Sequence, residues 1–222
     1  MSGYNFNWAL TFSYMPMFLN GLVLGLGIAA LSLVVGSAIG MTAGALSLRG
    51  SPIVRWLVRA YVEFVRNVPI LLWAYIVYYA LPHLGVRMLD NIESFVLALA
   101  IYAGAYLTEI FRSGLASIPE RFGEAGRAMG LTTWQRVRLI TLPLMFRIVL
   151  PSLTNSFISL FKDTSVAAAL AVPEITYAAT YVNINTFRIL ESWSIASVIY
   201  LVVGYGLAFA FRTFERRYRM VV

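Results

Sequence analysis

Two runs of polar side chains lie inside long apolar stretches, where such groups are costly and mark either a helix interface or a wet path. Tyr102, Tyr106 and Glu109 are spaced four and three residues apart, which places them on one face of a helix. Ser152, Ser156, Ser159 and Asp163 follow at intervals of four, three and four, so a second stripe also ends in a carboxylate. Such stripes can replace the water around a polar solute with hydroxyls and fixed charge. They can equally bond to neighbouring helices, at about 0.6 kcal/mol per hydrogen bond. Lys162 adjoins Asp163 but points about 100° away on an ideal helix, so the two need not pair. Covalent chemistry finds no support: the chain has no cysteine and one histidine, His83, which excludes a histidine cluster or a thiolate site, and no serine has an adjacent activating base.

The elements that must carry these stripes follow from composition. Of 222 residues, 60% are hydrophobic and 12% charged, and the mean hydropathy is +0.77, well above a soluble domain of this size. This is a membrane protein forming one helical bundle over residues 1–222. Apolar runs predict five spans, at roughly 17–46, 68–85, 95–111, 148–172 and 192–211. The segment before the first run holds no Lys or Arg and lacks the basic start of a secretory signal, so the first span is retained. Basic residues alternate between the connectors. Arg49, Arg55, Arg59 and Arg66 precede the second span, Arg112, Arg121, Arg127, Arg136, Arg138 and Arg147 follow the third, and Arg212, Arg216, Arg217 and Arg219 follow the fifth. Only Arg87 and Arg188 fall on the other side. The positive-inside rule places the N-terminus outside and the C-terminus in the cytoplasm. The net charge of +7 thus reports topology, and nucleic acid is not an expected partner.

Gly36, Gly40 and Gly44 form a small-residue face on the first span that permits close contact with another helix, in this chain or another. The long polar connector at about 112–147 is a structured cytoplasmic loop. Pro119 can open a short helix with Glu120 and Glu124 near its positive end, and Gly130 can close it. Thr132 or Thr133 can cap a second helix that runs to Leu142 and breaks at Pro143. Helices this short gain stability by packing on the bundle or on another protein. On the far side, the segment from Pro173 to Glu191, with Tyr177, Tyr181, Asn183 and Asn185, is the candidate contact for an external protein, or a loop lying on the membrane.

Glu124-Ala125-Gly126, then Gly130, then Ile140 to Pro143 resembles the E-A-A…G…I-x-L-P loop of bacterial ABC importer permeases. Glu63-Phe64-Val65-Arg66-Asn67-Val68-Pro69, Tyr102 through Glu109 with Arg112, Ile118-Pro119, and Lys162-Asp163-Thr164-Ser165-Val166 narrow the resemblance to the polar amino acid uptake permeases. The likeness runs from about Gly21 onward. Gly126 departs from the usual alanine, at a helix cost of about 0.8–1.0 kcal/mol. Arg121-Phe122 stands where this branch commonly has Gly-Gln.

The resemblance implies an all-α type I importer permease bundle of five transmembrane helices in the bacterial inner membrane. It implies a second permease half, identical or sister, two cytoplasmic ATP-binding subunits and a periplasmic substrate-binding protein. Glu124, Ala125, Gly126, Ala128, Gly130 and Leu131 would form the coupling surface for the ATPase. ATP and Mg would be bound by that partner, with no cofactor, metal or catalytic residue on this chain. The expected substrate pathway comprises Arg66, Tyr102, Tyr106, Glu109, Ser159, Lys162, Asp163, Thr164 and Ser165. A passive channel lined by the same stripes, or a permease for another small polar solute, is the alternative.

Overall fold

A computed structural model describes residues 4–85 and 88–218, with the side chains of 214–218 outside the description. Arg87 and Arg219 lie outside the described residues, as do the side chains of Arg216 and Arg217. Among the described residues the fold is helical throughout: α1 (Trp8–Phe12), α2 (Met15–Arg49), α3 (Pro52–Asn67), α4 (Ile70–His83), α5 (Asn91–Ala116), α6 (Glu120–Ala128), α7 (Thr133–Leu170), α8 (Ile175–Thr186) and α9 (Ile189–Tyr218). Four of these helices, α2, α5, α7 and α9, are long and apolar enough to cross a membrane, and the pair α3 and α4 makes a fifth if read as one bent span.

The region of the expected second span is a bent helix pair. Ser51 caps α3 by accepting from the Val54 amide, Pro52 opens its first turn, and Arg55, Arg59 and Arg66 line one side. Val68 precedes Pro69 and is extended, with φ −105° and ψ 130°, as the proline ring requires of its neighbour. The chain bends there by 103° before α4 continues. What reads in the sequence as a cytoplasmic connector followed by a span at 68–85 is an amphipathic helix joined to a short apolar one.

The axis of the bundle is α5. Asp90 and Glu93 close its start with a reciprocal capping box. Phe95, Ala98, Leu99, Leu107 and Phe111 are fully buried along it. The glycine face of α2 lies against it: a Cβ at Gly36 would sit 2.8 Å from the Ala103 Cβ, and one at Gly40 2.7 Å from the Leu107 Cβ and 2.8 Å from the Leu107 carbonyl carbon. The partner of the small-residue face is therefore a helix of the same chain.

The structure corrects the expected break at Pro143. Thr132 does cap the helix, in a box with Gln135, but α7 runs on from Thr133 through Pro143 to Leu170. Residues Val137–Thr141 form a wide π turn that ends two residues before the proline. The same device occurs at Ile76–Ala80, two residues before Pro82. A widened turn takes up the lost i−4 hydrogen bond and moves the backbone out of the ring's way, so the proline bends the helix without ending it. The final stretch of α7, Thr164–Leu170, tightens to a 3-10 helix, and Asn91 at the start of α5 donates from Nδ2 to the Leu170 and Ala171 carbonyls at 3.2 Å each.

The segment from Pro173 to Glu191 is likewise no flat loop. Glu174 is fully buried and caps α8, accepting from the Thr176 and Tyr177 amides at 2.8 Å and from the Tyr200 hydroxyl at 2.8 Å. Burial pushes its carboxyl above the usual carboxylate range, and these donors oppose that rise. Ile175, Ala178, Ala179 and Val182 pack inward, leaving Tyr181 and Asn185 exposed. At the same end of the bundle, Glu191 on α9 accepts from the Asn7 amide at 2.8 Å and from the Tyr4 hydroxyl, which ties the segment before α1 to α9.

Candidate functional site

The stripes of α5 and α7 meet across one cavity of about 590 Å³. Tyr102, Tyr106 and Glu109 come from α5, and Ser152, Asn155, Ser156, Ser159 and Asp163 from α7. The bend at Val68 brings the end of α3 to the same place, where Arg66 joins the lining. Its guanidinium lies 4.8 Å above the Tyr106 ring centre, a cation–π contact that leaves its N–H edges available. The Tyr102 and Tyr106 hydroxyls are 3.2 Å apart. Tyr106 is 37% exposed, and Ser152, Asn155 and Ser159 are exposed, so the cavity opens along one side of the chain.

The carboxylates differ in their surroundings. Glu109 is held by Arg112, one turn on, with Nη2 to Oε2 at 2.6 Å and Nε to Oε2 at 3.0 Å. Its charge is already matched. Asp163 is half-buried and makes no hydrogen bond or ion pair among the described residues. One cavity therefore holds a positive group at Arg66, a carboxylate at Asp163 open to a donor, and hydroxyls and an amide along the α7 wall. That arrangement fits a small zwitterion.

Three other expected pathway residues lie elsewhere. Lys162 is exposed and outside the cavity lining. Thr164 is fully buried and donates to the Phe161 carbonyl at 2.7 Å, close to Gly25 of α2. Ser165 is half-buried in the 3-10 segment. The Asp163-Thr164-Ser165 run thus places only its carboxylate at the cavity, and the hydroxyl of Thr164 serves the helix transition. Asn155 is the lining residue that the stripe reading missed. Its spacing of three from Ser152 and four to Ser159 was the available signal.

Beyond the C-terminal end of α5 stands the short helix α6. Gly130 follows it in the left-handed region, φ +72°, and the Leu131 amide returns to the Gly126 carbonyl at 3.0 Å, the closure that a glycine at this place allows. Glu124, Ala125, Ala128 and Gly130 are exposed and Leu131 half-buried. Gly126 is the buried residue of α6: a Cβ there would lie 2.9 Å from Ile140 Cδ1 and 3.0 Å from Arg136 Cγ. The glycine that weakens α6 as a helix lets it seat closely on the start of α7.

Residues 36–220 match the family model described as the binding-protein-dependent transport system inner membrane component. The chain belongs to this permease family. The glutamine transport system permease protein GlnP of Escherichia coli (strain K12) is 34% identical over 217 residues, covering 97% of this permease and 99% of the relative. A probable glutamine ABC transporter permease protein of Bacillus subtilis (strain 168) is 34% identical over 201 residues, 89% of this permease and 92% of the relative. Among solved structures, a chain of an amino acid ABC transporter crystallised with histidines superposes with a TM-score of 0.85 at 26% identity, covering 96% of this permease and all of that chain. A chain of the methionine ABC transporter MetNI in an inward-facing form shares the fold, with a TM-score of 0.76 at 21% identity over 93% of this permease and 98% of that chain. The permease is an ABC importer-type inner-membrane subunit, all helical, with the bundle those proteins share.

Proposed function

We propose that this permease is one half of the membrane pathway of an ATP-driven importer for a polar amino acid. The observation that carries the reading is the convergence of Arg66, the α5 tyrosines and the α7 polar stripe with Asp163 on a single cavity, in a family whose similar members include permeases named for glutamine. Asp163 receives the substrate ammonium, Arg66 its carboxylate, and Ser152, Asn155, Ser156 and Ser159 the polar side chain. The open side of the cavity is closed by a second permease half, an identical or a sister chain. The N-terminus lies outside and the C-terminus in the cytoplasm, where the exposed face of α6 docks on an ATP-binding subunit, two copies serving the pair. ATP and Mg are bound there and not by this chain. A periplasmic binding protein delivers substrate to the other face, near the exposed residues of α8.

No bond is made or broken in the permease itself. Closure of the ATPase pair moves α6, and because α7 continues without a break from Thr133 past Pro143 to Asp163, that movement reaches one wall of the cavity directly. Each state must bind substrate with a different affinity for the movement to transport it. The test is uptake into proteoliposomes holding the complete complex with its binding protein. The reading requires accumulation of a polar amino acid that depends on internal ATP. Equilibration without ATP indicates a channel, and ATP-driven uptake of an unrelated polar solute alone overturns the amino acid assignment.

A further inference from the structure

A second cavity, of about 610 Å³, lies behind α6, bounded by the ends of α2 and α5 and the start of α7. It is distinct from the exposed coupling face. Glu120, Gly123 and Arg127 of α6 line it, at helical spacings of three and four, whereas Glu124, Ala125 and Ala128 do not. Its inner wall is apolar, built from Met41, Ala45 and Leu48 of α2 and Leu142 and Met145 of α7. Its rim carries three guanidinium groups, Arg49, Arg127 and Arg136, against the single carboxylate of Glu120.

Two of these arginines are incompletely engaged. Arg136 donates from Nη2 to the Thr133 hydroxyl at 3.1 Å, but its Nε is buried without a hydrogen-bond partner. A buried charged donor left in that state is costly and calls for an acceptor. Arg127 reaches Glu124 only at 3.9 Å, in an exposed pair that contributes little. An anionic group with several oxygens bridges the guanidinium N–H groups of the rim, while the apolar wall below takes up hydrocarbon.

We propose that this cavity is a site for an anionic phospholipid, with the phosphate on Arg136, Arg49 and Arg127 and the upper acyl chain along Met41, Leu48 and Leu142. The lipid fills the space between the coupling helix and the bundle, so that α6 moves on a lipid cushion at the membrane boundary. The basic rim and apolar wall together distinguish a phospholipid from a free anion, which needs no such wall. The attraction of basic clusters to the anionic lipids of the cytoplasmic leaflet acts in the same direction.

The full chain, purified in mild detergent and stripped of native lipid, is titrated with phosphatidylglycerol and with phosphatidylcholine of the same chains, and bound lipid is counted by native mass spectrometry. The expected result is at least about tenfold tighter binding of one phosphatidylglycerol. The Arg49→Gln, Arg136→Gln double variant removes that preference, while Arg55→Gln, outside the cavity, retains it. Equal binding of the two lipids to the wild-type chain, a double variant with undiminished preference, or displacement of phosphatidylglycerol by millimolar inorganic phosphate each overturns the proposal. Should the double variant fail to fold, the wild-type comparison and the phosphate competition decide.

Discussion

Gly40→Ala lowers the thermal survival of the folded permease, while Gly27→Ala on the same helix does not. The contrast follows from what each new methyl group meets. At Gly40 it falls 2.7 Å from the Leu107 Cβ, 2.8 Å from the Leu107 carbonyl carbon and 2.9 Å from the Thr108 amide nitrogen. Two of those atoms are backbone, so no rotamer change relieves the contact, and α2 and α5 must separate along their longest shared face. At Gly27 nothing lies within 4 Å. Overpacking of this kind costs about 1–3 kcal/mol, whereas alanine at an uncrowded helix position gains about 0.8–1.0 kcal/mol over glycine. Fluorescence-detected size-exclusion of the two variants after a heating series is the measurement. Equal thermal survival contradicts the close packing of α2 on α5.

Asp163→Asn weakens uptake at low substrate concentration and leaves the assembled complex intact. The side chain keeps its size, and the aspartate makes no internal hydrogen bond or ion pair among the described residues, so the exchange removes charge from the cavity without removing a support of the fold. A hydrogen bond to a charged group contributes about 1.5–3 kcal/mol, which corresponds to roughly tenfold or more in substrate affinity. The loss is read as a raised KM for ATP-dependent uptake in proteoliposomes containing equal amounts of complex. Unchanged uptake removes Asp163 from the pathway. Glu109 makes an informative contrast because Arg112 already holds it at 2.6 Å. The i, i+3 spacing of those two residues announces that pairing, and with it the different duties of the two carboxylates.

Much of this arrangement is legible in the residues alone. The four-three periodicity of Tyr102, Tyr106 and Glu109 and of Ser152 through Asp163 places both stripes on single helix faces, and the fold joins those faces at one cavity. The glycine repeat of α2 announces a close contact, though periodicity within one helix carries no information on which helix completes it. Proline is where local rules fail. Pro69 ends a helix because Val68 takes the extended conformation that a helix cannot hold, whereas Pro143 and Pro82 are absorbed by wide turns. Whether a proline stops or bends a helix depends on the packing on both sides of it, and a one-dimensional pattern does not contain that packing. Glu174 is hidden for a similar reason. As a polar residue in a connector it reads as a surface group, yet the Tyr200 hydroxyl and two amides draw it into the core. The motif Lys162-Asp163-Thr164-Ser165 contributes one side chain to the cavity because consecutive residues on a helix face different ways.

The coupling claim is tested most directly at Ala128, on the exposed face of α6. The chain has no cysteine, so Ala128→Cys introduces a single reactive thiol. The native complex is extracted gently, treated with a short bifunctional crosslinker and examined by mass spectrometry. One dominant adduct is expected, with an ATP-binding subunit. An intact complex that is labelled at this cysteine and yields no crosslink to an ATP-binding protein contradicts it.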